Sequence, residues 1–217
     1  SYGIRGVSAL DGNEDVKNDV LTKALAFIAT KLPIDISFYP EYQNYDRARE
    51  FFKKQKNARC GGCGAWELDG SVGSKSAAFY SPYLGSKDSG HTYYSDEHIN
   101  AQVRKALDEN ILLTCHAIGP AAIDQIVNAY YQNKDELIKH NALYRIDHFE
   151  FPTHDALEKA KEMRIGITVQ PGFSYIDKLA LHSYEKYLSE ESLSLVVPLK
   201  KLYDSKALVL GSSDSPV

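Results

Sequence analysis

A chain of 217 residues with 43% hydrophobic and 25% charged residues is long enough for a substantial core and has an ordinary globular composition. Its net charge of −4 offers neither a basic footprint for nucleic acid nor a polybasic patch for a membrane surface. No apolar run approaches the ~20 residues of a transmembrane helix, no signal peptide opens the chain, and three cysteines are too few for a disulfide framework, so a reducing, cytoplasmic setting is expected.

In chain order, Gly6–Leu10 reads as a short strand closed by the turn-prone Asp11-Gly12-Asn13. Residues 15–32 carry apolar residues at helical spacing (Val16, Val20, Leu21, Ala24, Leu25, Phe27, Ile28, Leu32), and Pro33 stops that helix. A strand over 34–39 and a helix over 46–55 follow. The glycine-rich Cys60-Gly-Gly-Cys-Gly64 leads into a strand at Ala65–Leu68 that ends at Asp69-Gly70. Residues 71–94 show no periodicity and form a long loop, the kind that is usually a lid or disordered. Beyond it, helices are expected over 96–110, 121–132, 134–140 and 154–164, and a helical stretch within 190–204. Strands interleave with them: the run from Ile111 through His116, Tyr144–His148, Ile165–Gln170 and Ala207–Leu210.

Seven strands with helices between them predict an α/β fold with a parallel sheet and helical cover. Polar residues end at least four of the strands, which suits a (β/α)8 TIM-type barrel better than a doubly wound sheet with one switch point. The expected barrel is incomplete, with about strands 2 to 8, and residues 1–217 form one partial barrel domain. The chain opens at Ser1 and stops at Val217, directly after a candidate catalytic segment, so it is expected to be a piece of a longer protein.

His116 and His148 are 32 residues apart (148 − 116), about one βα unit. Adjacent strands lie ~4.8 Å apart, so imidazoles at the tops of two neighbours can reach one ion. Neutral imidazole suits zinc. Either histidine alone could equally cap a strand on a backbone carbonyl. Asp214, in Gly-Ser-Ser-Asp-Ser-Pro, can orient or deprotonate a metal-bound water, although an aspartate before Ser-Pro is also ordinary cap chemistry. Glu67 sits between Trp66 and Leu68, where a buried carboxylate needs a cation: a metal ion, an arginine or a lysine. Cys60-x-x-Cys63 lacks a second ligand pair and reads as a glycine-rich turn. Cys115 is expected in the core, and His91, His98, His140, His154 and His182 in solvent. The Gly61-Gly62 and Gly64 cluster lacks the Lys-Ser/Thr of a phosphate-binding loop.

With these residues assembled, the chain resembles the amidohydrolase superfamily, in its amidohydrolase-3 branch of N-acyl-amino-acid deacylase-like enzymes. The resemblance rests on Cys-His-Ala-Ile-Gly, Tyr-Arg-Ile-Asp-His, Ile-Thr-Val-Gln-Pro, Leu-Gly-Ser-Ser-Asp-Ser-Pro-Val and the loop Leu68-Asp-Gly-Ser-Val-Gly-Ser-Lys-Ser-Ala-Ala78, in that family's order. It implies a barrel binding one or two divalent ions, usually zinc, with His116 and His148 as the histidines of strands five and six. Asp214 then matches the strand-eight aspartate that binds metal and handles the proton of the attacking water. A bridging role falls to Glu67 on strand four. The chain departs from the family pattern at three places: the first strand's His-x-His, the flanking β-sandwich, and Pro120 where many relatives have aspartate after Ala-Ile-Gly.

The reading is therefore a metal-dependent hydrolase of C–N bonds, an amide of N-acyl type, in a small-molecule substrate. Asp214 is its general base and acid; His116, His148, Glu67 and Asp214 are its metal ligands; Gln170, Asp69 and Tyr83 shape the substrate pocket. Neither nucleic acid nor membrane is an expected partner, and a homo-oligomer stays open. The alternatives are a non-catalytic, truncated barrel fragment and a ligand-binding relative without turnover.

Overall fold

The computed structural model describes residues 3–11, 24, 27–40, 58–60, 63–140, 143–171, 184–197 and 199–214. It divides into two compact units, Ser1–Trp66 with Ile111–Thr114 and Glu67–Asn110 with Cys115–Val217.

In the first unit, β1 (Gly6–Asp11), β2 (Asp35–Pro40) and β3 (Ala58–Cys60) form a three-stranded parallel sheet in that order. Gly6 pairs with Asp35 and Asp11 with Pro40, while Ile36 pairs with Ala58. Along β2 the buried residues alternate, with Ile36 and Phe38 in the core, the period-two pattern of a strand with one wetter face. The expected strands over 6–10 and 34–39 are therefore present within one residue. β3 is new, because three residues are too few for an alternation to register. Of the expected helix over 15–32, residues 24 and 27–29 are helical and most of the rest lies outside the described residues, as do the helix over 46–55 and the side chains of Cys60 and Cys63.

A second, five-stranded sheet has the order β4 (Cys63–Glu67), β5 (Leu113–Ala117), β6 (Arg145–His148), β7 (Gly166–Val169) and β8 (Leu208–Gly211). β6, β7 and β8 run parallel, with Ile146 beside Ile167 and Ile167 beside Val209. All four residues of β7 are buried, which is why its sequence is uniformly small or apolar, without alternation. The expected α/β class with parallel sheets is thus observed.

Helices connect these strands. α1 (Asp96–Asp108) starts at Ser95, whose side chain accepts the His98 N–H, and carries Asp96 and Glu97 in its first turn, where the helix dipole favours them. Ile99, Val103, Ala106 and Leu107 bury one stripe of it. α2 (Pro120–Gln132) begins with proline at its first position, where a missing N–H costs nothing. α3 (Lys134–His140) matches its expected span, and α4 (His154–Glu162) is capped by the Thr153 hydroxyl, which accepts the Ala156 N–H at 3.1 Å. Residues 190–204, expected to contain a helical stretch, hold two short helices, α5 (Glu190–Leu193) and α6 (Leu199–Asp204). Pro198 lies in the sequence between them, a stop signal that periodicity alone overlooks.

Residues 71–94 contain no helix or strand, but part of the segment is packed into the core. Val72, Ala77, Phe79 and Tyr83 are buried with Ile118, Phe151 and Leu188 in one apolar cluster. Phe79 meets Phe151 edge-on at 5.0 Å, and the Phe79 N–H donates to the Ser89 carbonyl at 2.7 Å. Among the described residues, no helix is long and apolar enough to cross a membrane.

Candidate functional site

The two histidines singled out in the sequence come together in the second unit. His116 occupies the fourth position of β5, and His148 is the last residue of β6. Their ring centroids are 4.5 Å apart at 66°, the separation expected for side chains on neighbouring strands. Asp214 lies three residues past β8, and its Oδ2 is 3.9 Å from His148 Nε2. The Asp214 N–H donates to the Ser212 hydroxyl, and the Ser212 N–H in turn donates to the Val169 carbonyl, so this carboxylate stands on a turn tied to β7.

The backbone is unusual at these positions. His148 (φ 74°), Phe149 (φ 55°) and Asp214 (φ 54°) all occupy the left-handed region. For a non-glycine residue this costs about 1–2 kcal/mol each, and such residues cluster at functional sites. The conformation after β6 is secured from outside: the Phe149 N–H donates to Ala117 O at 3.0 Å and the Phe151 N–H to Ile118 O at 3.2 Å.

Electrostatically the histidines differ. Burial, reinforced by the neighbouring His148, pushes the His116 imidazole down to about 4, so it is neutral near pH 7 with one ring nitrogen's lone pair available to a cation. Burial acts in the same direction on His148, but the carboxylates of Glu150, Asp214 and Asp147 outweigh it and hold its pKa above the ordinary histidine value.

Beneath His116 lies Asp69, fully buried at 0% exposure. Oδ2 accepts the N–H groups of Ala78 (2.9 Å) and Gly119 (2.7 Å), and Oδ1 accepts that of Ile118 (3.0 Å). Oδ1 is also 3.6 Å from His116 Nδ1, a buried atom with no hydrogen-bond partner. Burial pushes the Asp69 carboxyl up to about 6 in spite of these three donors. The carboxylate ties the loop after β4 to the β5–α2 turn. That junction also explains Gly119, where a Cβ would stand 2.3 Å from the Ala78 carbonyl oxygen. Asp69 was expected to line the substrate pocket; its burial and its three backbone donors give it a supporting place instead.

Glu67 departs from expectation too. It ends β4 and is exposed, whereas Leu68 and Asp69 are fully buried. The buried carboxylate of this stretch is two residues further on than the sequence suggested, because the strand ends at Glu67 and its alternation ends with it. The Leu68 N–H donates to His116 O at 3.0 Å, which sets residue 67 beside the His116 strand. Gln170 directly follows β7 and is buried. Tyr83 is packed in the apolar cluster and donates its hydroxyl proton to Ala77 O, so it supports the loop. Cys115 is buried as expected. His91, His98 and His154 are exposed, while His140 Nδ1 meets Asn110 Oδ1 at 3.0 Å.

Sequence reading missed Glu150. Its Oε1 is 3.7 Å from His148 Nδ1, and its Oε2 accepts the Tyr184 hydroxyl at 3.0 Å. No motif marks it; only the left-handed turn after His148 brings it back beside the ring.

Two imidazoles, one neutral and with a buried nitrogen lacking a hydrogen-bond partner, and a carboxylate beside them are the donor types that a divalent ion such as zinc accepts. They fit as part of a ligand set. Among the described residues, no three or more of His, Cys, Asp and Glu converge on one point as a complete one.

The protein YtcJ of Bacillus subtilis (strain 168) is 25% identical over 150 residues, which cover 69% of this chain and 27% of YtcJ. An uncharacterized metal-dependent hydrolase from Pyrococcus furiosus, solved by crystallography, is 25% identical with a TM-score of 0.73, covering 94% of this chain and 42% of that one. Another from Pyrococcus horikoshii OT3 shares the fold, with a TM-score of 0.74 at 22% identity over 99% of this chain and 42% of that one. The stretch of the chain that matches curated relatives spans about a quarter of their length. The amidohydrolase family profile matches residues 1–217 throughout, and the chain belongs to that family, in its amidohydrolase-3 branch.

Proposed function

We propose that the protein is a metal-dependent hydrolase that cleaves a C–N bond, an amide of N-acyl type, in a small-molecule substrate. Its scaffold is a (β/α)8 barrel to which this chain contributes about strands 2 to 8. The observation that carries this reading is the His116–His148 pair, 4.5 Å apart, with Asp214 Oδ2 3.9 Å from His148 Nε2. Family membership and the likeness to the Pyrococcus furiosus hydrolase support it.

In this reading His116 and His148 hold a divalent ion, zinc being the one their chemistry suits, with Asp214 in reach and Glu67 as a further ligand candidate. When bound, such an ion lowers the pKa of a coordinated water and polarises a carbonyl. Asp214 takes the proton of the attacking water and delivers it to the leaving nitrogen, as its partial exposure allows. Asp69 keeps the β5–α2 turn, and with it His116, in place. Gln170, at the end of β7, shapes the substrate pocket.

The test is Asp214→Asn in the intact, metal-loaded protein, assayed on a panel of N-acyl amides. Loss of a proton-transfer group lowers turnover by about 10²–10⁴-fold. Unchanged turnover on the best substrate overturns the assignment.

A further inference from the structure

The geometry points to Glu150, itself held by Tyr184, as the positioning residue that sets the His148 imidazole, keeping its proton on Nδ1 and turning the Nε2 lone pair toward Asp214. This rests on the metal-site reading of His148, which it deepens.

Four observations support it. First, the two ring nitrogens face different carboxylates: Nδ1 is 3.7 Å from Glu150 Oε1, and Nε2 is 3.9 Å from Asp214 Oδ2. Second, the two carboxylates differ in how they are held. Asp214 is 42% exposed on a turn, whereas Glu150 is 20% exposed and its second oxygen takes the Tyr184 hydroxyl at 3.0 Å. Third, Tyr184 is anchored in turn, its ring lying 5.7 Å from that of buried Phe151. Fourth, the backbone of Glu150 is fixed: its carbonyl accepts the Val197 N–H at 3.3 Å, and the left-handed pair His148–Phe149 folds residue 150 back onto the ring of residue 148.

A neutral imidazole carries one proton, on one nitrogen or the other. Next to an immobile carboxylate, an N–H on the facing nitrogen is attracted and a lone pair there is repelled, so the tautomer follows the more rigid anion. At 3.7 Å the contact is longer than a hydrogen bond, yet close enough for Coulomb attraction in a site 10% exposed to decide between the two forms. Carboxylate partners of this kind fix the ring orientation and tautomer of metal-binding histidines. The left-handed φ of two successive non-glycine residues also gains a reason: without it, Glu150 would not return to the ring it orients.

The decisive measurement is ¹⁵N NMR of the His148 ring in the intact, metal-free chain at alkaline pH, where the ring is neutral. The wild type is expected to carry the proton on Nδ1. Glu150→Ala should shift it toward Nε2–H, the preference of free histidine. Glu150→Gln, which keeps a carbonyl acceptor, should retain Nδ1–H, and Tyr184→Phe should fall between. A wild-type ring protonated on Nε2 overturns the inference, and that result needs no variant to fold. A Glu150→Ala ring identical to wild type also overturns it. Zinc titration supplies a separate readout: Glu150→Ala should bind zinc about 10–100-fold more weakly, and equal affinity refutes the role. Should the intact wild type bind no divalent ion, the hydrolase reading fails, while the tautomer measurement still decides what Glu150 does.

Discussion

Replacing Asp69 by alanine tests whether a buried carboxylate holds the candidate site together. The substitution removes the acceptor for three backbone N–H groups, those of Ala78, Ile118 and Gly119, at 2.7 to 3.0 Å. A buried donor left unsatisfied costs ~1–3 kcal/mol, so three give a gross loss near ~6 kcal/mol. Against this stands relief of a buried charge. Burial raises the carboxyl from 3.8 to about 6, and at 1.36 kcal/mol per pKa unit ionising it in the fold costs about 3 kcal/mol at pH 7. The net destabilisation is therefore about 3 kcal/mol, or a fall in Tm of about 6–12 °C for a chain of this size. Urea unfolding at pH 7 measures it as a shift in midpoint at constant slope. A change below about 0.5 kcal/mol would refute the keystone role. The same group gives a pH signature in the metal-free chain. Between about 4 and about 6 the folded carboxyl binds more protons than the unfolded one, so stability falls as pH rises through that window. Asp69→Asn, which cannot titrate, flattens the slope there; an unchanged slope shows that another group carries it.

Gly119→Ala drives a Cβ to 2.3 Å from Ala78 O and should cost roughly 2 kcal/mol or more, whereas Gly73→Ala meets nothing within 4 Å and should stay within about 0.5 kcal/mol. Equal effects of the two in chemical denaturation would remove the close-approach argument. Burial raises the Cys115 thiol well above its usual value, so iodoacetamide should label it in urea and leave it untouched in the native state, as read by peptide mass mapping. Rapid native labelling would show that β5 opens. Zinc at about a hundred times its Kd should stabilise the intact protein by about 2.7 kcal/mol, and His116→Ala should abolish most of that gain. A variant that retains the full gain in Tm would exclude His116 as a ligand.

Much of the second unit was legible because its elements announce themselves locally. α1 shows a cap, acidic first-turn residues and an apolar stripe; α2 shows Gly-Pro at its start; β5 and β6 each carry a histidine at or next to the strand end. The His116–His148 pairing followed from spacing, since one βα unit returns the chain to the adjacent strand. What escaped was whatever depends on partners distant in sequence. Residues 71–94 lack periodicity, so nothing local distinguished a loose lid from a segment packed on Ile118 and Phe151. Glu67 was expected to be the buried carboxylate and Asp69 a turn residue at the pocket, yet Glu67 is exposed and Asp69 fully buried. Glu150 carries no sequence signal at all.

By itself, then, the sequence determined the order and kind of most elements of the second unit, the α/β class, and the two histidines that meet across β5 and β6. Those are properties of short-range periodicity, capping and steric preference, written within a few residues of where they act. Only the tertiary structure decided which acidic residues lie beside those histidines. A carboxylate's role depends on who donates to it and how dry it is, and here the donors come from 9, 49 and 50 residues away for Asp69 and 34 for Glu150.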